Sequence, residues 1–205
     1  MRTLLFLAII LCAGLSPVFA ASWVEYHSPL AIVYVHPGEQ QLATQIGAMA
    51  GEEYLRIAGT INLSTTPCVP IYAYTDPVEF LRDAGPRPLL LGVSYRPSGL
   101  IRIDATGQEG PVHEVLAHEL THSLLNAKLG PSIGNLPNWV DEGIAGYLAD
   151  PLTAQQQSGA SHQRHSDGVL TLDGMDQAFR TGIGDDAAYV QSRAMIAWLD
   201  TRYPG

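Results

Sequence analysis

Pro111-Val112-His113-Glu114-Val115-Leu116-Ala117-His118-Glu119-Leu120-Thr121-His122-Ser123-Leu124-Leu125-Asn126-Ala127-Lys128-Leu129 is the stretch from which the fold of this chain is read. Pro111 suits a first helical turn, where its missing N–H is not needed. Val112, Val115, Leu116, Leu120 and Leu124 recur at helical spacing and form an apolar flank. Gly130 and Pro131 then end the helix. His118 and His122 lie four residues apart, which stacks them on one face with Cβ atoms roughly 5–6 Å apart.

Working outward from this helix, the upstream chain alternates short strands with helices. Ala31 to Val35 is apolar and β-branched and stops at Pro37-Gly38, as a strand and turn do. From Glu39 to Ile57, Leu42, Ile46, Met49, Ala50, Tyr54 and Ile57 recur at helical spacing. Val69 to Tyr74 reads as a strand, and Asp76-Pro77 as the cap and first turn of a short helix reaching about Asp83. Gly92 to Tyr95 and Leu100 to Asp104 read as two strands joined across Pro97-Ser98-Gly99. The second alternates Leu100, Arg102 and Asp104 with Ile101 and Ile103, the pattern of a half-exposed strand. Cys68, just ahead of a strand, is expected as a small buried hydrophobe, because free cysteines are among the most buried residues.

Downstream, Pro131, Gly134 and Pro137 mark a loop, and Asn138 to Leu148 a second helix. Thr153 to Gly168 is polar and reads as an exposed loop, and a last helix starts near Asp186. The expected class is α+β, with a mixed sheet in the N-terminal half and a mostly helical C-terminal half.

The first 20 residues read as a secretion signal: Arg2, an apolar run from Leu4 to Ala13, then Val18-Phe19-Ala20 as the cleavage site. The run is too short to span a bilayer as a helix. Residues 21–205 then form one domain, secreted or periplasmic, with no stable membrane anchor. Loss of Arg2 leaves 10 basic against 20 acidic side chains. That balance, with a single lysine, argues against nucleic acid and anionic membranes as partners.

The chemistry centres on His118-Glu119-Leu120-Thr121-His122. Two imidazoles on one helix face can reach one zinc at about 2.0–2.1 Å and leave other positions open. Glu119 is rotated about 100° from His118 and leans toward the same ion, where it can act as a base on water. A catalytic zinc takes a third protein ligand. The candidate is Glu142, in Trp139-Val140-Asp141-Glu142-Gly143-Ile144-Ala145, 20 residues after His122. An acidic helix start would also place a carboxylate there. Gly143 and Ala145 would let two helix backbones approach, with Trp139, Ile144 and Tyr147 filling the core beside them.

The two motifs together resemble the gluzincin metallopeptidases, especially the peptidase MA-like group, in which H-E-x-x-H is followed by W-x-x-E-G-x-A. The order of elements, and the ending from Tyr189 through Trp198 to Tyr203, is also similar to that group's. The resemblance implies a zincin-like fold and one zinc per chain, with His118, His122 and Glu142 as ligands and Glu119 as base. It implies a peptide or protein as substrate. One position departs: thermolysin-like members carry an aspartate four residues after the ligand glutamate to orient a histidine, and here that position is Gly146. Asp141 or a backbone carbonyl is left for that task.

Other zinc families fit less well. A metzincin would place glycine and histidine where this chain has Leu125 and Lys128, and an aspzincin would use Asp141, although the glycine follows Glu142. His113-Glu114 lacks its second histidine, since position 117 is alanine. A second electrophile for the developing oxyanion is drawn from Tyr147, His162, His165, Tyr189 and Tyr203. Tyr189, at the start of a helix that can fold over the cleft, is the candidate donor, with packing of its ring against the last helix as the alternative. Leu100 to Asp104 is expected to pair with extended substrate. Two other readings stay open: a zinc-binding adaptor or envelope module without peptidase activity, and a zinc hydrolase of non-peptide amides.

Overall fold

Alternation of buried and half-buried side chains along Ala31–Val35 is the simplest statement of how the sheet is built. Ala31, Val33 and Val35 turn inward, while Ile32 and Tyr34 turn outward. In this computed structural model, residues 22–64, 67–85, 91–96, 98–107, 109–149, 169–180 and 186–204 are described. Strands β1 (Val24–His27) and β2 (Ala31–Val35) precede helix α1 (Gln40–Thr60). Then come β3 (Val69–Tyr74), α2 (Pro77–Ala84), β4 (Gly92–Tyr95) and β5 (Leu100–Asp104). Helix α3 (Glu109–Leu129) runs through a 3₁₀ turn (Gly130–Asn135) into α4 (Asn138–Ala149), and α5 (Leu172–Arg180) and α6 (Asp186–Arg202) follow. The class is α+β, as expected.

The five strands form a mixed sheet in the order β1-β2-β3-β5-β4. The pairs β2–β3 and β3–β5 are parallel and the two outer pairs antiparallel. One face carries Ala31, Val33, Val35, Val69, Ile71, Ala73, Ile101 and Ile103, all buried. Against it pack Ala43, Ile46, Ala50, Tyr54 and Ile57 of α1 and Val112, Leu116, Leu120 and Leu124 of α3. Helix α3 lies between this layer and α4, so residues from Leu116 to Leu125 are buried on almost every side. The Asp76 carboxylate caps α2, accepting from the backbone N–H of Val78 at 2.8 Å.

Three expectations are corrected. Leu100–Asp104 is an interior strand, flanked by β3 and β4, so its backbone is already paired. Its expected alternation holds, with Ile101 and Ile103 buried and Leu100, Arg102 and Asp104 half-buried, and the Arg102 guanidinium lies 5.5 Å from the Tyr72 ring and 5.3 Å from the Tyr95 ring. The edge beside α3, among the described residues, is β4, whose inward side carries glycine and serine and has less apolar surface to bury. Cys68 is exposed. Strand parity explains it, since Val69 points inward and its neighbour must point out. Gly143 does relieve a close helix approach, but toward α6: a Cβ there would stand 2.9 Å from the Ser192 carbonyl oxygen.

Strand β1 and helix α5 were not read from the sequence, and the expected loop at 153–168, with His162 and His165, lies outside the described residues. No helix among the described residues is long and apolar enough to cross a membrane.

Candidate metal centre

One turn of α3 separates His118 from His122, and α4 brings Glu142 against them. The two rings stand 4.8 Å apart at 76°. Their Nε2 atoms face each other at 3.1 Å. Glu142 Oε2 lies 3.2 Å from His118 Nε2 and 3.6 Å from His122 Nε2. Donors about 2.0–2.1 Å from a tetrahedral zinc would be about 3.3 Å apart, and these separations straddle that value. Two imidazole nitrogens and one carboxylate oxygen also match the donor set of an open zinc site. Among the described residues this is the group of histidine, cysteine and acidic side chains that can hold a metal ion.

Glu119, 8% exposed, reaches the same space from α3. Ser94 of β4 lines the same cleft. Burial pushes the Glu119 carboxyl above the ordinary range, against the opposing pull of His118 and His122. Gly92 makes room for it: a Cβ there would stand 2.8 Å from Glu119 Cγ and 2.6 Å from a Val115 methyl.

Orientation of His122 falls to Asp141. Its Oδ1 lies 3.1 Å from His122 Nδ1, and its Oδ2 accepts from Arg96. This places on Asp141 the task left open by Gly146, whose α-carbon is instead covered by the Arg193 stem. Burial at 3% exposure opposes ionisation of Asp141, but His122 and Arg96 overcome it and hold the carboxyl below its usual range. Glu142 behaves likewise: burial raises its pKa, and bonds from His118 and His122 bring it well below. Burial pulls the His122 pKa down, yet hydrogen bonds to the Asp141 and Glu142 carboxylates leave it raised. Two carboxylates thus favour positive charge at this point.

A cleft of about 210 Å³ opens over these groups, lined by Gly92, Val93, Ser94, Arg96, Tyr189 and the cluster itself. Tyr189 therefore comes to the cleft wall, 41% exposed, with Phe179 edge-on at 4.9 Å. Of the other donors considered, Tyr147 and Tyr203 are placed elsewhere, and His162 and His165 lie outside the described residues. The Tyr147 hydroxyl donates to Asp200 at 2.9 Å, and Tyr203 is exposed near the end of α6. His113 lies 3.1 Å from Glu53 of α1, away from the cluster. Ser94 and Arg96 were missed in the sequence. The signal was their alternation with Gly92 along one strand, which has meaning only once β4 is known to border α3.

Comparison with protein-family models, with characterised proteins and with solved structures finds no match.

Proposed function

We propose that this chain is a zinc-dependent metallopeptidase of the gluzincin type, with a zincin-like fold, acting outside the cytoplasm after removal of residues 1–20. The observation that carries the reading is the convergence of His118, His122 and Glu142, whose donor atoms all lie within 4.8 Å of one another, with Glu119 beside them. A site built only for structure closes all four positions and needs no such carboxylate.

Bound zinc would polarise the scissile carbonyl and acidify water. The remaining work belongs to the chain. Glu119 takes the proton of the attacking water and returns it to the leaving nitrogen. His122 donates its Nδ1–H to Asp141 and keeps Nε2 free for the ion. The Tyr189 hydroxyl, on the cleft wall, donates to the oxyanion. An extended peptide adds to the outer edge of β4, the last strand of the sheet among the described residues, so main-chain hydrogen bonds rather than side-chain pockets supply most of the binding.

The test is a peptide-library digest comparing the wild type with Glu119→Gln at equal zinc content. Defined cleavage that disappears in the variant supports the peptidase. Zinc binding without cleavage of peptides or envelope amides makes the chain an adaptor, and cleavage confined to non-peptide amides moves it to another hydrolase class.

A further inference from the structure

Gly92, Ser94 and Arg96 stand at alternate positions, and the strand's pairing tells which way they face. Gly92 lies opposite Ile103 and Ser94 opposite Ile101 across the β4–β5 hairpin, and both isoleucines are fully buried toward the helices. Residues opposite each other in an antiparallel pair share a face, so Gly92 and Ser94 point at α3. Arg96, one step beyond the strand, keeps that parity and reaches Asp141 on α4.

Each of the three meets a different part of the centre. Gly92 supplies the space that Glu119 occupies. Ser94 lines the cleft beside Glu119. Arg96 holds Asp141, which in turn holds His122. Asp141 is almost completely buried, and a carboxylate there needs compensation. Histidine alone cannot provide it once its other nitrogen serves a metal, because the ring is then neutral. Arg96, always protonated, can. It offsets the charge of Asp141, which leaves the carboxylates of Glu142 and Glu119 facing the ion.

We infer that Arg96, at the end of the inward face of β4, is a positioning residue of the metal centre: acting through Asp141, it sets the ligand His122. The inference rests on the zinc reading above. It gives the edge strand a second role: the element whose outer edge would bind substrate also holds one ligand in register.

Zinc affinity, read by competition with a chromophoric chelator, separates this role from general stability. Arg96→Ala should weaken zinc by about 10–100-fold, the usual cost of losing a group behind a ligand. Arg102→Ala, which removes an arginine from the outer face of β5, should bind zinc like the wild type. In an Asp141→Asn background, Arg96→Ala should add no further loss, because the two act through one path. Should Arg96→Ala fail to fold, Arg96→Gln carries the same expectation with nearly the same bulk. Wild-type zinc affinity in the folded Arg96 variant overturns the inference, as do losses that simply add in the Asp141→Asn background. A wild-type chain that binds no zinc fails the zinc reading itself; one that binds zinc while Arg96 proves indifferent fails this inference alone.

Discussion

His122 and His36 each pair a ring nitrogen with a carboxylate, yet only one of them belongs to a centre that could do chemistry. His36 Nε2 lies 2.7 Å from Glu79, its Nδ1 lies 3.2 Å from the Ser22 carbonyl, and Trp23 stacks on the ring at 4.3 Å. Both nitrogens are consumed within the protein, so the pair is a clasp between the start of β1, the end of β2 and α2. His122 gives Nδ1 to Asp141 and turns Nε2 toward His118 and Glu142. What marks a metal centre is therefore not the histidine–carboxylate pair. It is a second nitrogen left over and aimed where other donors already point.

The comparison breaks most visibly at Glu119. On this account Glu119→Gln keeps zinc and fold but lowers kcat by roughly 10²–10⁴-fold. Steady-state turnover of zinc-loaded protein checks this, and unchanged turnover removes Glu119 from the mechanism. Nothing done to His36 should move kcat comparably.

Next comes Tyr189. Tyr189→Phe keeps the ring against Phe179 and removes only the hydroxyl. An oxyanion donor predicts a kcat loss of about 10²–10³-fold with KM nearly unchanged. Wild-type kinetics in this variant would return Tyr189 to simple packing and move the donor role to His162 or His165.

The third prediction concerns the helix that delivers Glu142. A side chain at Gly143 would press on Ser192 backbone, which cannot yield as a flexible side chain would. Gly143→Ala should cost about 1–3 kcal/mol of stability by overpacking, with weakened zinc binding following from the displaced α4. Urea unfolding of the metal-free protein measures it. Equal midpoints would mean that α4 and α6 have more freedom than their spacing shows.

The smallest effect returns to His36. Burial lowers its pKa, but the Glu79 and Ser22 hydrogen bonds outweigh burial and raise it above 6.5. A raised pKa in the folded state contributes stability that is complete below pH 6.5. That contribution is lost as pH rises through the folded value. His36→Gln should therefore lower stability more at pH 5.5 than at pH 8.5, each relative to the wild type, as urea unfolding at the two pH values would show. A difference that grows toward pH 8.5 would contradict the sign of the shift.

Much of this architecture was legible in the sequence, for reasons tied to length and period. Helices α1 and α3 carry long runs with apolar residues at helical spacing, and Asp76-Pro77 announces α2 by its cap. His118, Glu119 and His122 were legible because one helix fixes their geometry, and Glu142 because a glycine and an aromatic frame it. The misreadings concern what lies beside what. The alternation of Leu100–Asp104 said that one face is polar, but not that tyrosines and Arg102 cover that face or that β5 lies inside the sheet. Cys68 was judged by residue type when the parity of β3 decides its side. β1 has four residues without a distinctive pattern, and α5 buries only Met175, so neither had a period to read. Ser94 and Arg96 owe their meaning entirely to the pairing that turns them toward α3 and α4.

Zinc stoichiometry of purified variants tests the central claim most directly. The account predicts one zinc per wild-type chain, lost for the most part in His118→Ala, His122→Ala and Glu142→Ala. Asp141→Ala should bind more weakly but still fill at saturating zinc. An Asp141→Ala protein that stays empty while Glu142→Ala stays loaded would contradict the ligand assignment, and with it the site on which the whole reading stands.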